Sequence, residues 1–84
     1  MKYVDFALYG DDGSPEYAGT VQLEEDGRIT FQALPTKMVS ELIRYGVRGI
    51  GGKEIKVDEG EAFLEALQYE FSGSRLRASA PKER

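Results

Sequence analysis

The 84-residue chain contains no cysteine, no histidine and no tryptophan. Without cysteine, neither a disulfide framework nor a thiolate metal site can form, and a reducing compartment is permitted. Without histidine, the chain lacks the commonest general base near neutral pH and the usual partner of a nucleophilic serine. The sequence therefore favours a non-enzymatic domain with no cofactor and no metal site.

Long apolar runs are missing as well. No segment of the sequence approaches the roughly 18 apolar residues that a membrane-spanning helix needs. The N-terminal stretch MKYVDFALYGDDG reaches acidic turn residues too early for a secretory signal. We therefore expect a cytoplasmic protein without membrane contact.

The net charge of −4 is distributed in blocks along the chain. Residues 1–31 and 58–71 each carry −5, whereas residues 32–57 and 72–84 each carry +3. An acidic total argues against general affinity for nucleic acid, because such affinity comes from neutralised phosphates. If the two basic segments met in the fold, they would still form a basic patch. Its members would be Arg44, Arg48, Lys53, Lys56, Arg75 and Arg77.

The first third of the chain alternates apolar and polar residues with period two, which is typical of strands with one buried face. The inward residues of the three predicted strands are Val4, Phe6, Leu8, then Val21, Leu23, then Ile29, Phe31. Asp26-Gly27 predicts a tight hairpin turn, because both residues tolerate positive φ. The three segments therefore predict an antiparallel meander.

Apolar spacings of three and four then predict two helices. Their inner residues are Val39, Leu42 and Ile43 in the first and Phe63, Leu67 and Phe71 in the second. Thr36 and Asp58 are the predicted N-caps, and Gly46 would end the first helix with a positive φ. Short strands at KEIKV, with Ile55 and Val57 facing inward, and at RLRASA follow the helices.

The sequence thus predicts an α+β fold with element order β-β-β-α-β-α-β. An antiparallel sheet would carry two helices packed on one face and leave the other face partly wet. We expect one domain over residues 1–80 and a frayed tail over residues 81–84.

The stretch RYGVRGIGGKEIK combines four glycines with four bases. It lacks the Gly-Lys-Ser/Thr ending of a phosphate loop and the last glycine of a dinucleotide fingerprint. Gly46-Val47-Arg48-Gly49 has the spacing of the RNA-binding KH clamp, but a KH helix would have to resume where Gly51-Gly52 stands. We interpret the stretch as a helix cap and a turn, where Arg48 and Lys53 could meet a partner.

The carboxylates give no clear catalytic or metal pattern. Asp58, Glu61 and Glu65 are expected on a solvated helix face, and an enzyme that uses carboxylates alone is the least favoured class. Asp11 and Asp12 lack the alternating ligands and the closing glutamate of a calcium loop, so GDDGSPE is interpreted as an acidic turn.

Tyrosines are a more informative feature. Tyr3 and Tyr9 alternate with the inward residues of the first strand and so face the outer side of the sheet. They could pair with cross-strand neighbours or mark a binding surface, since tyrosine combines contact area with a hydroxyl. The sequence favours a regulatory or binding domain that contacts an unknown protein through Tyr3, Tyr9, Tyr17, Arg48 and Lys53. The alternative is a nucleic-acid binder that uses the basic patch.

The C-terminal part, GGKEIKVDEGEAFLEALQYEFSGSRLRASA, resembles a pattern in small bacterial proteins. The shared features are a Gly-Lys strand, an FLxAL helix and an SGSxLRA ending. The resemblance implies a compact bacterial domain, and it brings no activity to transfer.

Overall fold

Period-two alternation gives the first strand its two different faces. A computed structural model describes residues 1–48, 54–73 and 75–84 of the chain. In the strand Lys2–Tyr9, Val4 and Phe6 are fully buried, and their chain neighbours Tyr3, Asp5 and Ala7 are only half-buried. One face of this strand therefore belongs to the core, as the alternation predicts.

The strands and helices follow one another in an α+β order. The strands are β1 (Lys2–Tyr9), β2 (Pro15–Leu23), β3 (Ile29–Gln32), β4 (Val47–Arg48), β5 (Glu54–Ile55), β6 (Leu76–Ala78) and β7 (Lys82–Glu83). The helices are α1 (Thr36–Tyr45), between β3 and β4, and α2 (Gly60–Glu70), between β5 and β6.

Five strands form one antiparallel sheet in the order β3-β2-β1-β6, with β7 also paired to β1. The predicted α+β class and element order are confirmed, and the structure adds two short strands, β4 and β7. Strands β4 and β5 pair with each other in a separate two-stranded antiparallel sheet beside α2. The position at which a KH helix would have to resume, Gly51-Gly52, lies outside the described residues, and strand β5 follows it at Glu54.

The predicted turn at Asp26-Gly27 joins β2 to β3. Glu24 donates its backbone N–H to Arg28 at 2.8 Å, and Gly27 donates to Glu24 at 3.0 Å. Gly27 has a φ of 90°, which places it in the region that a three-residue hairpin loop requires of its last residue. The residue pattern therefore identified this turn correctly.

The core forms where α2 crosses β1 and β2. Phe63, Leu64 and Leu67 of α2 are fully buried, as are Val4, Phe6 and Val21 of the two strands. The rings of Phe6 and Phe71 meet edge to face, with their centroids 5.3 Å apart. Helix α1 adds Leu42, which is its buried residue among those the structure describes. Both helices thus cover the same face of the sheet.

Two residues predicted to face the core are exposed. Leu8 remains 47% exposed because its cross-strand neighbours, Glu16 and Leu76, lie at the end of the sheet. Ile43 is 52% exposed because α1 turns Leu42 toward the core, and the next residue lies about 100° further round the helix. The predicted N-caps also differ: Pro35 and Glu59 hold those positions, and neither makes a side-chain capping hydrogen bond.

The C-terminal segment, for which the sequence predicts fraying, pairs with β1. Strand β6 lies opposite Phe6, Ala7 and Leu8 only, which leaves the start of β1 available on that side. Strand β7 takes this edge, with Lys82 opposite Tyr3 and Glu83 opposite Lys2. Arg84 adds a backbone hydrogen bond to the carbonyl of Met1 at 2.9 Å. An unpaired strand edge thus explains this pairing, and fraying of residues 81–84 stays a prediction.

Two aromatic residues of α2 provide a matched test of the core. Phe63→Ala should lower the free energy of unfolding by about 3–5 kcal/mol, because it removes a fully buried ring. Tyr69→Ala, at a side chain that is 56% exposed, should change it by less than about 0.5 kcal/mol. Urea denaturation followed by circular dichroism measures both. Equal losses would contradict the assignment of the buried helix face.

Candidate functional site

We call the sheet face opposite α2 the open face. Directly opposed residues on neighbouring strands share a face, so the pairing of β1 identifies its members. They are Tyr3, Asp5 and Tyr9 of β1, Tyr17, Thr20 and Gln22 of β2, and Arg77 of β6, with Lys82 and Arg84 at the C-terminal end. The three predicted tyrosines therefore lie on one surface.

A β-bulge brings Tyr17 to this face. Phe6 lies opposite Gly19, whereas the next residue, Ala7, lies opposite Tyr17, so Ala18 is an extra residue in β2. Counting by twos back from Val21 would have placed Tyr17 on the core side. The bulge reverses that assignment, and the Tyr17 side chain is 59% exposed. A glycine beside a run of strand residues was the one available sequence signal for it.

Gly19 makes the bulge sterically feasible. Its φ is 141°, a conformation that residues with a Cβ rarely adopt. A Cβ at this position would lie 2.6 Å from Cδ2 of Leu34 and 2.8 Å from the carbonyl oxygen of Gln32. The chain after β3 thus packs directly against the backbone of the bulge, which holds β2 in this shape.

A chain of polar contacts fixes Tyr17 to β1. The hydroxyls of Tyr17 and Thr20 are 2.6 Å apart, and Thr20 donates to a carboxylate oxygen of Asp5 at 2.7 Å. Because a hydroxyl has a single proton, Tyr17 donates to Thr20. The other carboxylate oxygen of Asp5 lies 3.7 Å from Nζ of Lys82. Strands β1, β2 and β7 are thereby linked across the open face.

The centre of the open face is polar but shielded from solvent. Thr20 is 2% exposed and Gln22 is 5% exposed. Gln22 donates from Nε2 to Glu24 at 2.8 Å, and Thr30 donates to the same carboxylate oxygen at 3.1 Å. The face predicted to be wet therefore has a covered polar centre, and its exposed groups lie around that centre.

Two tyrosines of β1 carry basic side chains over their rings. The guanidinium carbon of Arg77 lies 4.4 Å from the ring centroid of Tyr9, and that of Arg84 lies 4.6 Å from the centroid of Tyr3. Nζ of Lys82 is 6.0 Å from the same Tyr3 centroid. Each such contact contributes about 0.5–1 kcal/mol at an exposed site. The C-terminal basic segment is thus placed on the tyrosine surface.

The described bases of the two predicted segments lie in different layers of the molecule. Arg77 is on the open face and Arg75 adjoins it, since Tyr9 donates its backbone N–H to the carbonyl of Arg75 at 2.8 Å. Arg44 is in the last turn of α1, and Lys56 follows β5, on the side where Leu42 and Ile55 pack onto the core. The structure does not bring these four residues into one patch.

The other two members of the predicted basic patch belong to the glycine-rich stretch. Arg48 is in β4, beside α2 and away from the open face. Lys53 lies outside the described residues. Within the predicted protein-binding set, the structure therefore brings together the three tyrosines but not Arg48.

A groove of about 370 Å³ lies at the end of the open face, where β1 turns into β2. Tyr9, Arg75, Arg77 and Asp11 line it, together with three glycines. Arg75 forms an ion pair with Asp11, and both side chains are well exposed, at 69% and 87%. The groove thus has two guanidinium groups and one carboxylate.

The turn beside the groove is held by its own side chains. Asp12 accepts hydrogen bonds from the Ser14 hydroxyl at 2.6 Å and from the Ser14 backbone N–H at 3.0 Å. These bonds lower the pKa of Asp12, because they stabilise its charged form. Asp12 is therefore engaged as a turn residue, as the interpretation of GDDGSPE as an acidic turn implies.

Surface contacts account for the other two pKa shifts. The hydrogen bond and charge of Glu61, 3.1 Å away, raise the pKa of Lys2. The backbone N–H of Arg28 is the main cause of a lowered pKa at Asp26. Neither arrangement resembles the buried, shifted acid or base that catalysis requires.

Over residues 1–48, 54–73 and 75–84, no three acidic side chains are grouped so that they could hold a metal ion. Within the same ranges no helix has the length and apolarity to cross a membrane.

Comparison of the chain with protein-family models, with curated proteins and with solved structures finds no match. The function must therefore be inferred from the geometry of the open face and its groove.

Two glycines with positive φ test the bulge. Gly19→Ala should cost about 1–3 kcal/mol more stability than Gly13→Ala, because only at Gly19 would the new Cβ overlap neighbouring atoms. Gly13 has a φ of 80°, and no atom lies within 4 Å of the Cβ that alanine would add there. Its loss of stability therefore measures the cost of placing alanine at a positive φ without a steric clash. Urea denaturation gives both values. Similar losses would show that Leu34 does not pack on Gly19.

Proposed function

We propose that the chain is a small, non-enzymatic binding or regulatory domain that acts through protein contacts, with the open face as its contact surface. The observation that supports this most directly is the pair of Arg–Tyr stacks, Arg77 on Tyr9 and Arg84 on Tyr3. Tyrosine and arginine are the side chains that most often dominate binding energy at protein interfaces. Tyr17, 59% exposed, adds a third large side chain to the same surface.

Preorganisation favours this use of the surface. A free arginine loses side-chain entropy on binding, at a cost of about 0.5–1.5 kcal/mol for each immobilised side chain. A guanidinium stacked on a ring has already lost part of that freedom, and its N–H groups remain directed along its own plane. Tyr17 is held likewise by its hydrogen bond to Thr20. The open face thus presents ordered groups at low entropic cost.

Charge and stacking geometry favour a protein over a nucleic acid. The open face carries Asp5 and Glu24 as well as its bases, and the whole chain has a net charge of −4. Guanidinium groups also lie over the rings of Tyr3 and Tyr9, where a base would otherwise stack. The described members of the basic patch are moreover divided between two layers, with Arg77 on the open face and Arg44 on α1. Nucleic-acid binding remains the alternative that the test below must separate.

Absence of enzymatic activity, cytoplasmic location and bacterial origin stay predictions from the sequence. The acids suggested for catalysis support the first of these, since Glu61 is paired with Lys2 and both Asp58 and Glu65 are exposed. Among the described residues that line the groove of the open face, Asp11 is the one carboxylate. A pair of converging acids is therefore not part of the proposed site.

Photo-crosslinking tests the proposal with two tyrosines of equal exposure. A photoreactive phenylalanine analogue replaces Tyr17, on the open face, or Tyr69, on α2; the side chains are 59% and 56% exposed. Irradiation in the source cells should link the Tyr17 variant to one discrete protein, and the Tyr69 variant should give no such product. Binding of that protein, once purified, should then weaken about tenfold or more in Arg77→Gln, the loss expected for a charge-assisted hydrogen bond.

Other results would contradict the proposal. Crosslinking from position 69 alone, or no protein product from position 17, would remove the open face as the contact surface. A gel shift with single-stranded RNA that falls steeply between 50 and 200 mM salt would support the nucleic-acid alternative instead.

A further inference from the structure

The groove beside Tyr9 combines positive charge with free space. Its guanidinium groups come from Arg75, which directly precedes β6, and from Arg77, which is in β6. Among the described residues that line the groove, Asp11 supplies the counter-charge, so these residues keep one net positive charge in a chain of net charge −4. A locally positive groove in an acidic protein attracts a negatively charged group.

Glycines leave the walls of this groove open. Gly13 and Gly73 both line it, and an added Cβ would meet no atom within 4 Å at either position. The space of about 370 Å³ is at the lower end of the range for small-ligand sites and accommodates an acidic side chain with its neighbours. Ligand atoms can thus reach the guanidinium groups without displacing side chains from these walls.

The ion pair between Arg75 and Asp11 identifies the chemistry that the groove accepts. A carboxylate already binds this guanidinium in the structure, in an exposed pair of the kind that adds little stability. A second carboxylate can therefore replace Asp11 or share Arg75 with it at little cost. The stack on Tyr9 meanwhile holds Arg77 beside Arg75, with the guanidinium carbon of Arg77 4.4 Å from the centroid of the Tyr9 ring.

We propose that this groove binds a carboxylate group from an acidic segment of the partner protein. The inference rests on the proposed protein-binding function and specifies the partner's chemistry. A carboxylate has one negative charge, which balances the one net positive charge of the described lining residues. A dianionic phosphate would exceed the single positive charge of these lining residues and leave an excess of negative charge beside Asp11, which makes it the poorer ligand. Arg75 and Arg77 supply the planar N–H groups, and Asp11 acts as the internal competitor.

The experiment is an NMR titration of the isolated protein with a tetraglutamate peptide and, separately, with inorganic phosphate at equal ionic strength. The peptide should shift the backbone amide signals of Gly10, Gly13 and Gly73 and the Nε–H signals of Arg75 and Arg77. Its affinity should exceed that of phosphate and should fall when sodium chloride is raised from 50 to 500 mM.

Variants separate the groove from general charge attraction. Arg77→Gln should weaken peptide binding about tenfold or more, because it removes charge-assisted hydrogen bonds. Arg77→Lys keeps the charge but loses the planar fork, and should also weaken binding. Asp11→Asn should strengthen peptide binding by up to about fivefold, because the peptide no longer competes with the exposed Arg75–Asp11 ion pair. Lys37→Gln lowers the net charge equally on α1 and should leave the affinity unchanged.

Three results would overturn the inference. These are no shift at the three glycines, equal peptide affinity in Arg77→Gln and Lys37→Gln, or phosphate binding at least as tight as peptide binding. The variants' dispersed amide spectra verify that they are folded. Because the titration uses no partner protein, it gives its answer whether or not photo-crosslinking from position 17 succeeds, so each proposal can fail separately.

Discussion

The packing of α2 across β1 and β2 is the interaction on which the other features depend. Phe63, Leu64 and Leu67 bury themselves against one face of the two strands. In a chain of this length, one such layer accounts for most of the available core. Neither α1 nor α2 covers the second face of the sheet, and the stability of that face must come from contacts among its own side chains.

Those contacts explain why the open face is ordered. Hydrogen bonds through Thr20 join Tyr17 to Asp5, and Lys82 and Arg84 lie over Tyr3. The side chains that stabilise this face in the place of a packed helix also expose aromatic and guanidinium groups to solvent. Structure and proposed function thus use one set of residues, and a partner would meet a surface that is already arranged.

The sequence predicted the features that depend on local pattern. Alternation identified Val4 and Phe6 as core residues, and Asp26-Gly27 identified the turn, because strand faces and tight turns are decided by residues close in the chain. Tyr3 and Tyr9 were placed on the outer face by the same reasoning. These predictions needed no knowledge of how the layers pack.

Features that depend on distant parts of the chain were not predictable in this way. Strand β7 forms because β6 leaves the start of β1 unpaired, a pairing between residues about 80 positions apart. The bulge at Ala18 depends on Leu34 packing over Gly19. Alternation shows which residues of one strand share a face, but it does not show on which side of the sheet a helix packs. It therefore could not show that Arg44 and Arg77 lie on opposite sides of the sheet.

The central claim is that the basic C-terminal segment lies on the tyrosines of the open face. Proton NMR tests it directly through the methylene protons next to the guanidinium groups of Arg77 and Arg84. We predict upfield ring-current shifts of these protons and nuclear Overhauser contacts with the rings of Tyr9 and Tyr3. Random-coil shifts without such contacts would contradict the account.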